Sequence, residues 1–296
     1  MSKKNKIKVF YEKEYRQLLI IPIGLFILAI MIIGAHYIQT GAPFSTDVTL
    51  SGGIAITIHV DKQVNIDEIE QSLKSNFRQS SINLRVLEIS DESTGLVIED
   101  SNPKDEQEII ALMRQELGAF GDEDYSVEQI GSSLSKSFFR EMFIALFFAF
   151  LCMGGVFFYY FRALMPTLAA IISAFFDIFI TLGIIVLMGV RLTSGGIAAF
   201  LMLIGYSIDT SILLSTKVLK GDRKHMESAV YDSMKTGLTM SAAGLAAMWL
   251  SYLLTNNTTL RQIMLIIVIG LLVDIVTTWI LNVSLLRIYL EKNVKD

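Results

Sequence analysis

Residues 197–218 read IAAFLMLIGYSIDTSILLSTKV, an apolar run that is long enough to cross a membrane and carries one carboxyl group, Asp209, near its middle. About 20 apolar residues in a row are typical of a transmembrane helix, because a helix of that length spans the hydrocarbon core. A carboxylate at the bilayer centre costs roughly 2.5–3.5 kcal/mol on insertion scales. Asp209 therefore predicts an inward-facing partner, a water-filled path or a titrating proton, and it points to transport or energy coupling.

The composition favours a membrane protein over a soluble one. Of the 296 residues, 52% are hydrophobic and 18% are charged, and the mean hydropathy is +0.53. Five further apolar runs cover residues 18–38, 138–160, 167–190, 237–254 and 263–289. The fold class that we predict is an α-helical polytopic membrane protein with six transmembrane helices, one before and five after a soluble α+β segment.

The domain organisation follows from these runs and from the placement of Lys and Arg. Basic residues concentrate before the first run, in the loop 217–235 and at the C-terminal end, so the positive-inside rule predicts that both termini are cytoplasmic. A cleaved signal peptide is the competing interpretation of the first run, but its apolar core and its leader are too long. The predicted parts are a cytoplasmic N-terminus (1–17), a first span (18–38), an extracytoplasmic domain (39–135), a five-helix bundle (136–290) and a cytoplasmic C-terminus (291–296).

The soluble segment shows the order β-α-β-β-α-β, which predicts a ferredoxin-like domain. Its strands are predicted at residues 54–60, 82–89, 95–99 and 125–130, and its helices at residues 66–77 and 103–117. Residues 47–128 hold 18 acidic and six basic side chains, a net charge of −12. Such a charge argues against nucleic acid and against docking on anionic lipid. It serves solubility or forms a weak surface for basic or unfolded segments.

Two more carboxyls, Asp177 and Asp274, lie near the middle of the third and sixth spans. Low dielectric disfavours their charged form unless a cation is near. Lys235, where the chain enters the fifth span, is the nearest candidate, and the alternative for it is a snorkelling side chain that reaches the interface. The alternative for a protonated Asp is a role only as interhelical glue. We take Asp209, Asp177, Asp274 and Lys235 as proton-coupling candidates.

Polar and small residues near Asp209 sharpen that hypothesis. Gly205 allows close helix approach, and Tyr206, Ser207 and Thr210 supply polar groups beside the carboxyl. The fifth span is rich in Ala, Gly and Ser, so we predict that it is the most tightly packed helix. Its hydroxyl cluster is predicted to face Asp209; the members are Thr236, Thr239 and Ser241.

Motifs for catalysis, metal or cofactor are not found. The sequence contains no phosphate-binding G-x-x-x-x-G-K-[ST], one cysteine and three scattered histidines. We therefore predict a protein that is not an enzyme and that binds no metal or cofactor.

Several segments resemble the SecF subunits of the SecD/SecF protein-export family, which is related to the resistance-nodulation-division transporters. Asp47 followed by Ser51-Gly52-Gly53 is similar to the start of the family's extracytoplasmic domain. The other similar segments are IGSSLSKSFFRE (130–141), Asp177 in the third span, GYSIDT (205–210), KTGLTM (235–240) including Gly237, and DIVTTW (274–279) with Asn282, which looks like the archaeal branch.

The resemblance implies a complex with SecD beside a SecY-type channel in the cytoplasmic membrane, acting on translocating secretory proteins late in export and using the proton gradient. In the bacterial branch the fourth-span motif continues Asn-Asp-Thr, and an Arg near the fifth span partners that Asp. Here Asp209 follows Ile208 directly, and only Lys235 is available. One residue turns a helix by about 100°, so the acid is displaced or uses a different face.

Two other functions stay open at this point. A small-molecule or lipid exporter of the wider superfamily would usually need a second homologous half, whereas this chain supplies six spans. A scaffold of the channel would use the three aspartates only as interhelical hydrogen bonds. Under the main hypothesis, Asp209 gains and loses a proton as the bundle alternates between two packings.

Overall fold

A computed structural model describes residues 14–60, 66–77, 82–88, 94–118, 120–121, 123–220, 226–255 and 257–292. The predicted basic segment before residue 14 and residues 221–225, which include Arg223 and Lys224, lie outside this set. Within the described residues, six helices are long and apolar enough to cross a membrane, as predicted. We number them as spans 1 to 6 in chain order.

The soluble segment folds as predicted. Its elements are β1 (Gly53–Val60), α1 (Ile66–Asn76), β2 (Asn83–Glu88), β3 (Thr94–Asp100), α2 (Glu106–Leu117) and β4 (Tyr125–Ile130). The strands are all antiparallel in the order β2-β3-β1-β4, which is the ferredoxin-like topology. A turn of 3₁₀ helix at Pro103–Asp105 precedes α2, and the Asn102 side chain caps it by accepting from the Lys104 amide (3.3 Å).

The core of this domain lies between the sheet and the two helices. Ile54, Ile56 and Ile58 alternate along β1 and are fully buried. They pack against Leu73 of α1 and Ile109 of α2. Alternation on the strand and helical spacing on α1 and α2 were both visible in the sequence, which explains why this part was predictable.

The spans are long helices that lie before and after the domain. Span 1 comprises Tyr15–Leu18 and Ile20–Thr40, span 2 is Ser132–Phe161, span 3 is Leu164–Leu187, span 4 is Ser194–Lys220 and span 5 is Met226–Leu254. Span 6 is interrupted: Thr258–Val276 and Val283–Lys292 are α-helical, and a π-helical turn, Thr277–Asn282, joins them.

Spans 3, 4 and 6 form the centre of the bundle, with 44–56% of their most apolar windows buried. Span 5 has only 11% buried, so the prediction that it packs most tightly is wrong for the chain on its own. Its small residues lie mostly on an outward face; those exposed are Ala242, Ala243, Ala246 and Ala247. Small side chains permit close approach but do not say to which neighbour.

The domain is joined to the bundle by backbone contacts. Thr46 and Leu192 form a parallel bridge, and the Asp47 amide donates to the Leu192 carbonyl (3.0 Å). A short helix, Val48–Ser51, follows and leads into β1. The loop between spans 3 and 4 therefore lies directly below the start of the domain.

Candidate functional site

Two of the three predicted membrane carboxyls meet in the middle of the bundle. Asp177 of span 3 and Asp274 of span 6 are both 0% exposed. They are close enough to interact electrostatically with each other. In the described part of the chain, no Lys or Arg forms an ion pair with either carboxyl. We call this arrangement the carboxyl pair.

Hydroxyl groups from spans 4 and 6 surround the carboxyl pair. Ser207 donates to Asp177 Oδ2 (2.7 Å), and Thr277 donates to Asp177 Oδ1. Thr210 lies 3.2 Å from Asp274 Oδ2 with its hydroxyl as donor. Thr278 donates to Asp274 Oδ1 (2.9 Å). The carboxyl pair therefore joins spans 3, 4 and 6 through hydrogen bonds that require no permanent positive charge.

The π-helical turn of span 6 supplies two of these donors. Thr277 bonds one carboxyl and Thr278 bonds the other, although the two residues are adjacent in sequence. Asn282, at the end of the same turn, donates to the Ser211 hydroxyl of span 4 (2.9 Å). π-helical turns inside α-helices are rare and are frequent at functional sites. Nothing in the hydrophobic pattern of residues 263–289 indicated this turn.

Further buried polar atoms continue from the carboxyl pair along the bundle. The hydroxyls of Ser173, Thr181 and Ser215 and the side-chain carbonyl of Asn282 are buried without a hydrogen-bond partner. Thr181 lies toward the ferredoxin-like domain, whereas the other three lie on the opposite side of the pair. Buried polar atoms of this kind are normally bonded to water. The arrangement leaves sites for water mainly on the side away from the domain.

Apolar side chains close the bundle on the domain side of the carboxyl pair. Ile185, Leu192, Phe200 and Ile266 form one buried cluster there. Leu203 packs against Gly270, where a Cβ atom would lie 2.5 Å from its Cδ2. The lining of this half of the bundle is therefore mainly apolar.

Asp209 does not join the carboxyl pair. It is exposed on the outer face of span 4, and no hydrogen-bond or ion-pair partner for it is found among the described residues. Gly205 lies on the same face, with no atom within 4 Å of a Cβ built on it. Thr210, one residue further along, is the residue that turns inward to Asp274.

The predicted residues of span 5 also point elsewhere. Lys235 is exposed, and Thr236 and Thr239 bond carbonyls of their own helix rather than Asp209. Gly237 is buried where span 5 meets span 6, and a Cβ there would collide with the Trp279 ring. Tyr206 of span 4 packs beside Gly244.

One buried cation is not indicated by the sequence pattern. Arg287, in the last turns of span 6, is 2% exposed and pairs with Glu227 of span 5 (2.7 Å). Its guanidinium also lies over the Tyr15 ring, 5.6 Å from the centroid. The Arg287 side chain thus ties spans 1, 5 and 6 together at the end away from the domain. The apolar run around residue 287 concealed this role.

The comparisons with known proteins decide the family. The model of "Protein export membrane protein SecD/SecF, C-terminal" matches residues 112–292. The chain is 37% identical to the protein-export membrane protein SecF of Methanocaldococcus jannaschii, covering 95% of this chain and 97% of the relative. It is 32% identical to SecF of Pyrococcus furiosus, with 98% and 96% covered. The chain belongs to the SecD/SecF protein-export family.

Solved structures of the family have the same fold. The crystal structure of SecDF, described as a translocon-associated membrane protein, from Thermus thermophilus matches with a TM-score of 0.74 and 18% identity over 94% of this chain. A structure of SecDF in a super-membrane-facing form matches with a TM-score of 0.58. This chain spans 38% and 39% of those two chains, respectively. In the SecD/SecF family the chain is thus a multi-pass membrane protein of the SecF kind.

Proposed function

We propose that this chain assists late protein translocation together with SecD beside a SecY-type channel, and that the carboxyl pair takes up and releases a proton during the cycle. The relatives' names support a role in export, and the Thermus protein with the same fold is translocon-associated. The positive-inside pattern supports cytoplasmic termini and an outward ferredoxin-like domain.

The proposal rests on a pair of buried carboxyls that form no ion pair with any Lys or Arg in the described part of the chain. Two carboxyls that share a low-dielectric site cannot both ionise cheaply, so the pair holds at least one proton at rest. Removing that proton adds a charge to a site whose neutralising groups are only hydroxyls. A proton that moves through the membrane potential supplies about 2.3 kcal/mol per 100 mV, which is enough to bias a two-state bundle.

The hydrogen bonds couple this charge change to helix packing. Ser207 and Thr210 belong to span 4, and Thr277 and Thr278 belong to the π-helical turn of span 6. When the pair ionises, these hydroxyls bond the charged oxygens more strongly than they bond a neutral acid. Spans 4 and 6 would then shift against span 3. A π-helical turn can absorb such a shift without breaking the helix.

The unpartnered polar atoms suggest from which side the proton exchanges. Ser173, Ser215 and Asn282 lie on the side of the predicted cytoplasmic termini, whereas Ile185 and Phe200 close the domain side. We infer that the described conformation connects the carboxyl pair to cytoplasmic water. A second conformation would open the other half.

Asp209 supports the partnership with SecD. An exposed carboxyl in mid-span is costly unless another protein covers it. The exposed small residues of the neighbouring span 5 allow a helix of a partner to approach closely. We propose that SecD covers this face and supplies the environment in which Asp209 acts. Asp209 thus stays a second proton-coupling candidate, and its chemistry depends on the partner.

Replacing the native gene with variants tests the proposal. Asp177→Asn and Asp274→Asn each keep the shape of the side chain but remove the exchangeable proton, so we expect slower export of a secreted reporter and less sensitivity to a protonophore. Copurification with SecD should remain unchanged. Asp209→Asn is the matched variant on the exposed face. It should lower the amount of SecD that copurifies more strongly than it changes the protonophore sensitivity of export.

The same assay separates the alternatives. Normal, protonophore-sensitive export in an Asp177→Asn/Asp274→Asn double variant would contradict proton coupling through the carboxyl pair and favour a scaffold role for these two residues. Loss of a small molecule's efflux with export unchanged would favour an exporter.

A further inference from the structure

A pocket lies between the ferredoxin-like domain and the bundle, remote from the carboxyl pair. Its volume is about 370 Å³. Arg191, from the loop between spans 3 and 4, and Arg261, from the first turn of span 6, line it together. Asn83, the first residue of the edge strand β2, closes it from the domain side. Two arginines that are far apart in sequence therefore share one cavity.

The Arg191 side of the pocket is fixed by a buried amide. Gln262 Oε1 accepts from the Thr193 hydroxyl (2.5 Å) and the Thr193 amide (3.1 Å). Gln262 Nε2 donates to the Arg191 carbonyl. Gly189, which also lines the pocket, allows the preceding turn with a φ of 68°. The backbone that carries Arg191 is thus held in place, so the pocket is preformed rather than a gap beneath a loose loop.

Neither guanidinium has a carboxylate partner in the described part of the chain. Arg261 lies over the ring of Tyr252, 4.8 Å from its centroid, and Arg191 is only partly exposed. Two positive charges that line one cavity without an anion repel each other. Binding of an anion between them relieves that repulsion and uses donors that suit phosphate oxygens.

Neighbouring side chains place the pocket at the level of lipid headgroups. Trp249 stacks on Tyr252 at a centroid distance of 5.5 Å, and aromatic residues of this kind mark the membrane–water interface. Leu250, Leu253 and Leu254 beside them are exposed, as expected of a surface in contact with acyl chains. Val190 and Leu265 give the pocket an apolar wall. The cavity therefore offers cationic donors for a headgroup and apolar contacts for its glycerol.

We propose that this pocket binds the phosphate headgroup of a membrane phospholipid in the leaflet next to the ferredoxin-like domain. The bound lipid would join Arg191 and Arg261 of the bundle to Asn83 of the domain, and so would steady the domain above the membrane. The acidic charge of the domain as a whole does not oppose this, because the site lies below it and is itself cationic.

Native mass spectrometry of the full chain in detergent tests the proposal by titration with dioleoylphosphatidylglycerol. Charge-assisted bonds of this type support an expected weakening of about tenfold for Arg191→Gln and for Arg261→Gln. Arg162→Gln removes an exposed charge at the opposite end of the bundle and should leave affinity unchanged. Arg191→Lys keeps the charge but loses the guanidinium fork, so its lipid affinity should lie between that of the wild type and that of Arg191→Gln.

Two further arms identify the source of the phosphate. A diglucosyl diacylglycerol, which lacks phosphate, should bind no better to the wild type than to Arg261→Gln. Inorganic phosphate should fail to compete at concentrations equal to the lipid; equal competition would overturn the lipid assignment in favour of a soluble anion. Equal lipid affinity in the wild type and both pocket variants would overturn the site itself. An unchanged thermal midpoint of Arg261→Gln without lipid shows that the variant is folded.

Discussion

Neighbouring polar residues of span 4 lie on two different faces of the helix, one buried and one exposed. Ser207, Thr210 and Ser211 lie on the inner face and bond groups of spans 3 and 6. Asp209 lies between them in sequence but is exposed on the outer face. Ser207 and Asp209 are two residues apart, which turns them about 200° from each other on a helix. The difference shows that a polar motif in a span need not form a single site.

On the inner face, the hydroxyls that contact the carboxyl pair find their hydrogen-bond partners within this chain, whereas on the outer face Asp209 has no partner among the described residues. Each hydroxyl of the inner face that contacts the carboxyl pair has its acceptor in the same chain. The outer face presents a carboxyl and small residues with no counterpart among the described residues. We infer that the first is the proton site and the second is a surface for the partner. We test this division by comparing a substitution at a buried residue with a similar substitution at an exposed residue.

The largest difference is expected between Ser207→Leu and Gly205→Leu. A leucine at 207 must enter a filled site and removes a donor to Asp177, so we expect a loss of about 3–5 kcal/mol in the free energy of unfolding. A leucine at 205 meets open space and replaces a helix-weakening glycine, so the isolated chain should be unchanged or slightly stabilised. Denaturant unfolding in detergent measures both. Similar losses at 205 and 207 would refute the two-face description.

A second comparison uses two ion pairs of described residues at the end away from the domain. Glu227→Gln removes the 2.7 Å ion pair to the buried Arg287 guanidinium, and we expect a loss of about 2 kcal/mol. Glu291→Gln removes the partner of Arg16, but that pair is exposed and screened by solvent, so the loss should be smaller than for Glu227→Gln. The same unfolding experiment compares them. A larger effect at Glu291 would show that Arg287 is not the structural tie we describe.

A third comparison replaces hydroxyls by methyl groups of the same shape. Thr277→Val removes the donor to Asp177 inside the π-helical turn and should cost about 1–2 kcal/mol. Thr239→Val removes only a bond to the Lys235 carbonyl on an exposed face, and the change should be below about 0.5 kcal/mol. Hydrogen exchange of peptides from spans 5 and 6 localises each effect. Thr277→Val without increased exchange in span 6 would argue against the role of the turn.

The smallest effect is expected in the ferredoxin-like domain. Burial raises the pKa of Asp100 to about 6, and the nearby Asp105 adds to the shift. Because the folded-state pKa lies above the unfolded value of 3.8, protonated Asp100 favours folding; this contribution is complete below about pH 4 and is lost as pH rises through 6. Asp100→Asn should therefore stabilise the domain by about 1 kcal/mol at pH 7.5 and have no effect at pH 4.

Hydrogen exchange of the β3 peptide, compared with the wild type at each pH, measures the effect of Asp100→Asn. Glu108→Gln on the exposed side of α2 is the control and should be silent at both pH values. A stabilisation by Asp100→Asn that is equal at pH 4 and pH 7.5 would contradict the raised pKa.

The fold of the domain and the identity of the candidate site residues could be predicted from the sequence. The arrangement of those residues in the bundle could not. In the domain, isoleucines that alternate along β1 and the spacing of apolar residues on α1 identify one buried face, and the strand order follows from the β-α-β-β-α-β sequence. In the membrane, both faces of a helix are apolar, so hydropathy finds spans but not their orientation. Asp177 and Asp274 could therefore be recognised as costly groups, but their proximity could not.

The other differences between prediction and structure have the same cause, because they also depend on contacts between spans. The outward orientation of Asp209 and of the alanines of span 5 could not be predicted, because a surface that binds a partner and the core of a bundle have similar composition. The π-helical turn depends on hydrogen bonds of Thr277 and Thr278 to residues on other spans and on its own helix. Arg287 is buried through contacts with Tyr15 and Glu227, which no local pattern connects.

Infrared spectroscopy of the purified chain at neutral pH is the sharpest test of a proton held by the carboxyl pair, because it observes the C=O stretch of a protonated carboxyl. We predict a carboxylic acid band that shifts in D₂O, disappears in an Asp177→Asn/Asp274→Asn variant and persists in Asp209→Asn. An unchanged band in the double variant, or no such band in the wild type, would contradict a carboxyl pair that holds a proton.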